Sequence, residues 1–208
     1  MTEWVLPLVV RIERDAPPAR TDALEAAAMA VLSMLTTDEP DWVEAVGAWD
    51  GSRIRKVVRR GRGAEWRRAA ALPGITVARR SAEVRVYPPV PLDGWPPELA
   101  KLQVGGTELD DPAEPAVPDE RLPLILLSPE LEMSAGKAMA QAGHAAQLGW
   151  RSLRRRRRRA WQDAGFELAV RTPSARQWRA ALEGGAPVVH DAGFTEVAPG
   201  SATAAFIP

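Results

Sequence analysis

Short motifs recur along this chain in the same order, and any fold must accommodate both copies. Leu6-Pro7-Leu8-Val9-Val10 returns as Leu122-Pro123-Leu124-Ile125-Leu126, an offset of 116. Trp42-Val43-Glu44-Ala45 is echoed by Trp161-Gln162-Asp163-Ala164, and Glu65-Trp66-Arg67-Arg68-Ala69-Ala70 by Arg176-Gln177-Trp178-Arg179-Ala180-Ala181. The pattern predicts a tandem duplication of one small unit. Between the copies, residues 88–120 hold eight of the nineteen prolines, Gly105-Gly106 and an acidic cluster from Glu108 to Glu120. Proline removes backbone donors and like charges repel, so regular structure is disfavoured there apart from a helical turn at Pro96 to Leu102. The expected organisation is a degenerate repeat over 1–90, a Pro-rich acidic linker over 91–120 and a second unit over 121–208.

Each copy reads as alternating strand and helix. Residues 4–12 are short, apolar and β-branched, and so predict a strand. Residues 19–35 place Leu24, Ala28, Val31 and Leu35 at helical spacing. Further strands are expected near 53–58, 74–78 and 82–87, with a helix near 63–71. In the second copy, Leu122 to Leu127 predicts a strand. Ser134 to Trp150 predicts a helix with Ser134 as N-cap, continuing helically through 151–163. Phe166 to Arg171 follows as a strand and Ser174 to Leu182 as a helix ended by Gly184-Gly185. Pro187 to His190 and Ser201 to Ile207 are strands.

Composition excludes several classes. With no cysteine there are no disulfides and no thiolate metal sites, and two histidines make a zinc site a poor fit. No run of about 18 apolar residues predicts a membrane span. The start of the chain lacks the basic and apolar regions of a signal peptide, so a cytoplasmic location is expected. Gly-x-Ser-x-Gly, Walker and His-Glu-x-x-His motifs are absent. Net charge is zero, but residues 1–120 carry 15 basic against 20 acidic side chains and residues 121–208 carry 12 against 7. A basic second half suits an anionic partner; adhesion of two oppositely charged halves is the plainer alternative.

Lys137, Gln141 and His144 stand at i, i+4 and i+7, which puts all three on one helix face. A solvated face would also explain them, yet Lys137 is one of three lysines beside 24 arginines. Asp191 and Thr195 are four apart across Ala192-Gly193, where a turn or bulge is expected. A plain turn, with Asp191 bonded to nearby backbone amides, is the alternative. Pro199-Gly200-Ser201 is a second turn, followed by Thr203. Arg151 and the run Arg154 to Arg159 form either a charged surface helix or phosphate contacts.

Together, Met133-Ser134-Ala135-Gly136-Lys137-Ala138-Met139-Ala140-Gln141-Ala142-Gly143-His144-Ala145 and the stretch from Asp191 to Thr203 resemble the type-2 peptidyl-tRNA hydrolases. The resemblance covers residues 121–208, with Ala135 where the family has its first motif lysine. It implies an α/β fold: here, two similar small three-layer domains with mixed β-sheets flanked by helices, arranged as a pseudo-dimer. A monomer of this kind is expected in place of the family's usual homodimer. The implied activity is metal-independent, cofactor-free hydrolysis of the ester joining a peptide to the tRNA 3′ end. The alternative is a catalytically inactive tRNA-binding homologue. Lys137, Asp191 and Thr195 are the catalytic candidates. Gln141, His144, Ser201, Thr203, Arg154, Arg155 and Arg158 are the candidates for holding peptidyl-tRNA. In the first copy, an offset of 116 puts Thr21, Glu25 and Ala28 opposite Lys137, Gln141 and His144, so the polar set is expected to be lost there.

Overall fold

The computed structural model describes residues 2–193 and 196–208. The first half runs β1 (Trp4–Arg11), α1 (Arg20–Leu35), α2 (Pro40–Asp50), β2 (Arg55–Gly61), α3 (Gly63–Ala70), β3 (Ile75–Arg79) and β4 (Ala82–Val86). The second runs β6 (Leu124–Leu127), α5 (Ala135–Ser152), α6 (Arg155–Asp163), β7 (Ala169–Arg171), α7 (Ala175–Glu183), β8 (Val188–His190) and β9 (Ala202–Ile207). Between them lie β5 (Val90–Pro91) and α4 (Pro97–Ala100). Four strands of the first sheet lie in the order β2-β1-β4-β3, with β5 also pairing β1; the second sheet is β7-β6-β9-β8. In each, the first strand pairs parallel with the strand after the crossover and antiparallel with the last. The molecule is therefore an α/β protein of two similar small units with mixed sheets flanked by helices.

An odd offset superposes the inward faces of β1 and β6. Leu6, Leu8 and Val10 face the central core, as do Ile125 and Leu127, whereas Val9 and Leu126 face outward. Side chains alternate across a strand, so a slip of one residue exchanges the faces. The offset of 116 would set inward Leu8 against outward Leu124, so it does not hold on the strands. The tryptophan echoes hold better: Trp66 on α3 and Trp178 on α7 each cover the outer face of their own sheet.

The two units share one interior. α1 lies along α5 between the sheets, and a single apolar cluster takes residues from both halves. Small side chains permit the close approach, including Ala23, Ala27, Ala30, Ala138, Ala142 and Ala146, all fully buried. At Gly143 a Cβ would sit 2.8 Å from Val31 Cγ2. At Gly149 it would sit 2.3 Å from the ring of Phe206, itself fully buried and packed 5.5 Å from Trp161. Alanine gains about 1 kcal/mol over glycine in a helix, but overpacking against a fixed ring costs about 3 kcal/mol. Gly149→Ala is therefore expected to lose about 2 kcal/mol in urea unfolding.

Two expectations are corrected in the second half. The helix does not run on through 151–163: Leu153 is extended, separating α5 from α6. The break turns α6 so that Trp161 joins Trp150, Phe166 and Phe206 in one aromatic cluster. The strand expected from Phe166 shortens to Ala169–Arg171, because Phe166 has φ +60° and the Glu167 carbonyl accepts the Trp161 indole N–H. Residues 88–120 pack on the units, with Leu99, Thr107 and Leu109 buried. Asp111 caps α1 by accepting from the Thr21 N–H and hydroxyl, and the Thr107 carbonyl accepts the Ala135 N–H at the start of α5.

Candidate active site

Ser134 starts α5 as its sequence predicts, accepting the Lys137 N–H. The helix then carries Lys137, Gln141 and His144 along one wall of a cleft of about 670 Å³. The opposite edge is the end of β8, with Val189, His190 and Asp191. The first half closes the cleft with Ile54, Lys56 and Val58, and the connecting segment adds Leu92 and Val104. A smaller pocket of about 250 Å³, lined by Glu65, Arg68, Glu98 and Lys101, shares no residue with this cleft.

Asp191 is the centre of the polar network. Its Oδ2 accepts from Lys137 Nζ at 2.5 Å and from Gln141 Nε2 at 2.8 Å. Its Oδ1 accepts the Gly193 N–H at 2.8 Å. Gln141 is 2% exposed, and its Oε1 takes the Thr203 hydroxyl at 2.6 Å. Because a carboxylate can only accept, the Gln141 amide must turn its NH₂ to Asp191. Gly193 has φ +77°, and a Cβ there would stand 2.3 Å from Pro199. Only glycine meets both demands, which is why the Asp-Ala-Gly turn can aim Asp191 at the helix.

Burial alone would raise the Asp191 carboxyl. Hydrogen bonds from Lys137 and Gly193, the Lys137 charge and the Gln141 bond outweigh it and hold the group below its ordinary value. His144 is pushed well below the usual imidazole value by burial, by Lys56 and by Lys137. Lowered groups change charge below their ordinary values: Asp191 stays ionised down to its depressed value, and its pairing energy is lost only as pH falls through that value. Neither group titrates near neutrality. Asp191 and His144 are thus expected to give the rate no limb between about pH 5 and 7; an acid limb centred near pH 6.5 that persists in Lys56→Met would contradict this geometry.

Residues 124–208 match the family model described as Peptidyl-tRNA hydrolase PTH2. Over this segment the chain is similar to the type-2 peptidyl-tRNA hydrolases. A search of curated proteins returns no match.

Within the matched segment the structure joins Lys137, Gln141, Asp191 and Thr203 in one network and sets His144 in the same cleft. Ser201 donates its hydroxyl to the Ala198 carbonyl and serves the turn. Thr195 lies outside the described residues. Arg154, the N-cap residue of α6, and Arg155 in its first turn are exposed. Arg158 donates to the Leu153 and Arg151 carbonyls and lies over Trp150, so it caps the end of α5. Among the described residues, no cluster of three His, Asp or Glu side chains could hold a metal ion, and no helix is long and apolar enough to cross a membrane.

Two contributors escaped sequence reasoning. Glu196 accepts from the Ser134 N–H and hydroxyl and so anchors the far side of the Asp191 loop to the start of α5. A carboxylate at a helix N-terminus is a recognisable device, but the 62-residue separation hid it. Lys56, from the first half, lies 3.1 Å from His144. In that half the expected loss of polarity is instead a reversal. Asp22 and Glu25 sit on the helix, and Arg79 at the end of β3 with Arg80 and Ser81 in the turn after it answer them.

Proposed function

We propose that the cleft hydrolyses the ester joining a peptide to the 3′ end of tRNA. The observation that carries this reading is the convergence of Lys137, Gln141 and Asp191 at the wall of an open cleft within a hydrolase segment. Ester hydrolysis needs an oriented water, a cation for the developing oxyanion and a departing ribose hydroxyl. A carboxylate held below its ordinary value is a weak base, so Asp191 acts chiefly by orienting water and by fixing the Lys137 ammonium. Lys137 supplies positive charge to the tetrahedral intermediate. Thr195 is assigned with Asp191 to the water, and Gln141 and His144 to the substrate's 3′ end. Thr203 acts through Gln141, and Ser201 through its turn.

The tRNA body is assigned to the exposed arginines of α6. Replacing Arg154, Arg155 and Arg156 by glutamine is expected to weaken tRNA binding and to lower the salt slope by about 0.7–0.9 for each phosphate that is no longer neutralised. A salt-insensitive affinity in the unmodified protein would exclude phosphate docking.

The second reading is an inactive homologue that binds tRNA. Ala135 favours it: where the resemblance expects a lysine, this side chain is fully buried and its N–H bonds the Thr107 carbonyl. Peptide release from an N-blocked aminoacyl-tRNA separates the readings. Release supports the hydrolase; saturable binding without release supports the binder. The domain boundaries at 90 and 121, the tandem origin and the monomeric pseudo-dimer are part of the same proposal. Sedimentation as a stable homodimer would contradict the last.

A further inference from the structure

Lys56 belongs to β2 of the first half, yet it is buried against the cleft of the second. Its Nζ meets three groups: the Ile54 carbonyl at 3.2 Å, Gln147 Oε1 at 2.6 Å and His144 Nδ1 at 3.1 Å. It also lies 4.8 Å from the centre of the Trp49 ring, whose face favours a cation. The Gln147 orientation is fixed from behind, because its Nε2 donates to Asp50 Oδ1 at 2.5 Å, and Asp50 also takes Arg151. The amide oxygen must then face Lys56. The packing is close enough that a Cβ on Gly143 would reach within 3.3 Å of Lys56 Cδ.

Two of the three groups around Nζ can only accept. An ammonium has three N–H bonds, so it satisfies both and leaves one for His144 Nδ1. An imidazole nitrogen that accepts has passed the ring proton to the other nitrogen. His144 Nε2 makes no protein hydrogen bond among the described residues, and it is not sealed from solvent. His144 lines the cleft.

We propose that Lys56 is a positioning residue of the site: it holds His144 by Nδ1, so that Nε2–H is presented as a donor to the substrate's 3′-terminal ribose or ester oxygens. The first half thereby supplies a working part of the second half's site. The role assigned to the substrate rests on the hydrolase reading; the tautomer does not. Burial and the Arg151 charge push the Lys56 ammonium well below the lysine range while Asp50 opposes them; a neutral amine would spend both N–H bonds on Ile54 and Gln147 and accept from His144 Nδ1–H, so the tautomer also reports whether Lys56 keeps its proton.

The chain has two histidines, and they serve as each other's reference. His190 Nδ1 lies 3.1 Å from the Gly200 carbonyl, which can only accept, so its neutral ring carries the proton on Nδ1. Nitrogen-15 long-range proton correlation spectra of the full chain at pH 7 should show His144 as the Nε2–H tautomer and His190, where neutral, as Nδ1–H. Lys56→Met, which keeps the length and removes the donor, should erase the His144 preference and lower kcat/KM by about tenfold, the worth of one hydrogen bond. Combined with His144→Ala, it should add nothing further, since Lys56 acts through that ring. An Nδ1–H tautomer for His144 in the unmodified protein overturns the proposal even if the variant does not fold. So does an unchanged His144 spectrum in Lys56→Met. Absence of peptide release from the unmodified protein would instead refute the hydrolase reading, with the tautomer still decisive for Lys56.

Discussion

Lys137→Ala is expected to lower kcat/KM for peptidyl-tRNA by about 10²- to 10³-fold, the loss usual when one oxyanion-stabilising group is removed. The ammonium is 2.5 Å from Asp191 Oδ2, and both side chains are about one-tenth exposed. Its removal takes away the cation that meets Asp191 and leaves the carboxylate, among the described residues, with the bonds from Gln141 and Gly193. Burial, now less opposed, should raise the Asp191 carboxyl, so an acid limb should move up in pH in the variant. The fall should lie in kcat more than in KM, because the cation is needed most when negative charge develops on the substrate. Lys137→Arg should not restore the rate, since a planar guanidinium cannot place a point charge in the same position. A rise in KM with kcat unchanged would reassign Lys137 to substrate binding.

Glu25→Ala is expected to cost about 3–5 kcal/mol of stability, the penalty for leaving buried partners of a broken ion pair uncompensated. Glu25 is fully buried on α1. It accepts from Arg79 and Arg80 of its own half, and from Arg171 and the Val170 N–H of the other. Arg79 and Arg171 are 17% and 18% exposed and cannot turn fully to water. Domains of ordinary size are stable by about 5–15 kcal/mol, so the variant should unfold far more readily in urea. Since Glu25 joins β7 to α1, the loss should weaken the seat of the second unit as well. A change under about 1 kcal/mol, the range of surface pairs, would show that the cluster is solvated.

The second-half site was legible because its chemistry is local. Three polar residues at i, i+4 and i+7 fix one helix face whatever surrounds it, and Asp-Ala-Gly fixes a turn. What the spacing could not show is how the two units meet. The offset of 116 came from matching apolar runs, and a run of consecutive apolar residues does not say which of them faces inward. Pairing Leu8 with Leu124 was therefore one residue out. Lys56 stayed hidden for a related reason: its partners are 88 and 91 residues away, on α5 of the other unit. The acidic linker was read from its prolines as a tether. Its carboxylate Asp111 instead caps α1, a contact that composition cannot reveal.

The most direct measurement is single-turnover release of an N-acetylated amino acid from its tRNA, with tRNA binding followed in the same samples, for the unmodified protein and for Asp191→Asn. The unmodified protein should release the acyl group. Asp191→Asn should bind tRNA with similar affinity and release it at least about 10²-fold more slowly. Equal release by both, or binding without release by the unmodified protein, would mean that the meeting of Lys137, Gln141 and Asp191 is not a hydrolytic centre.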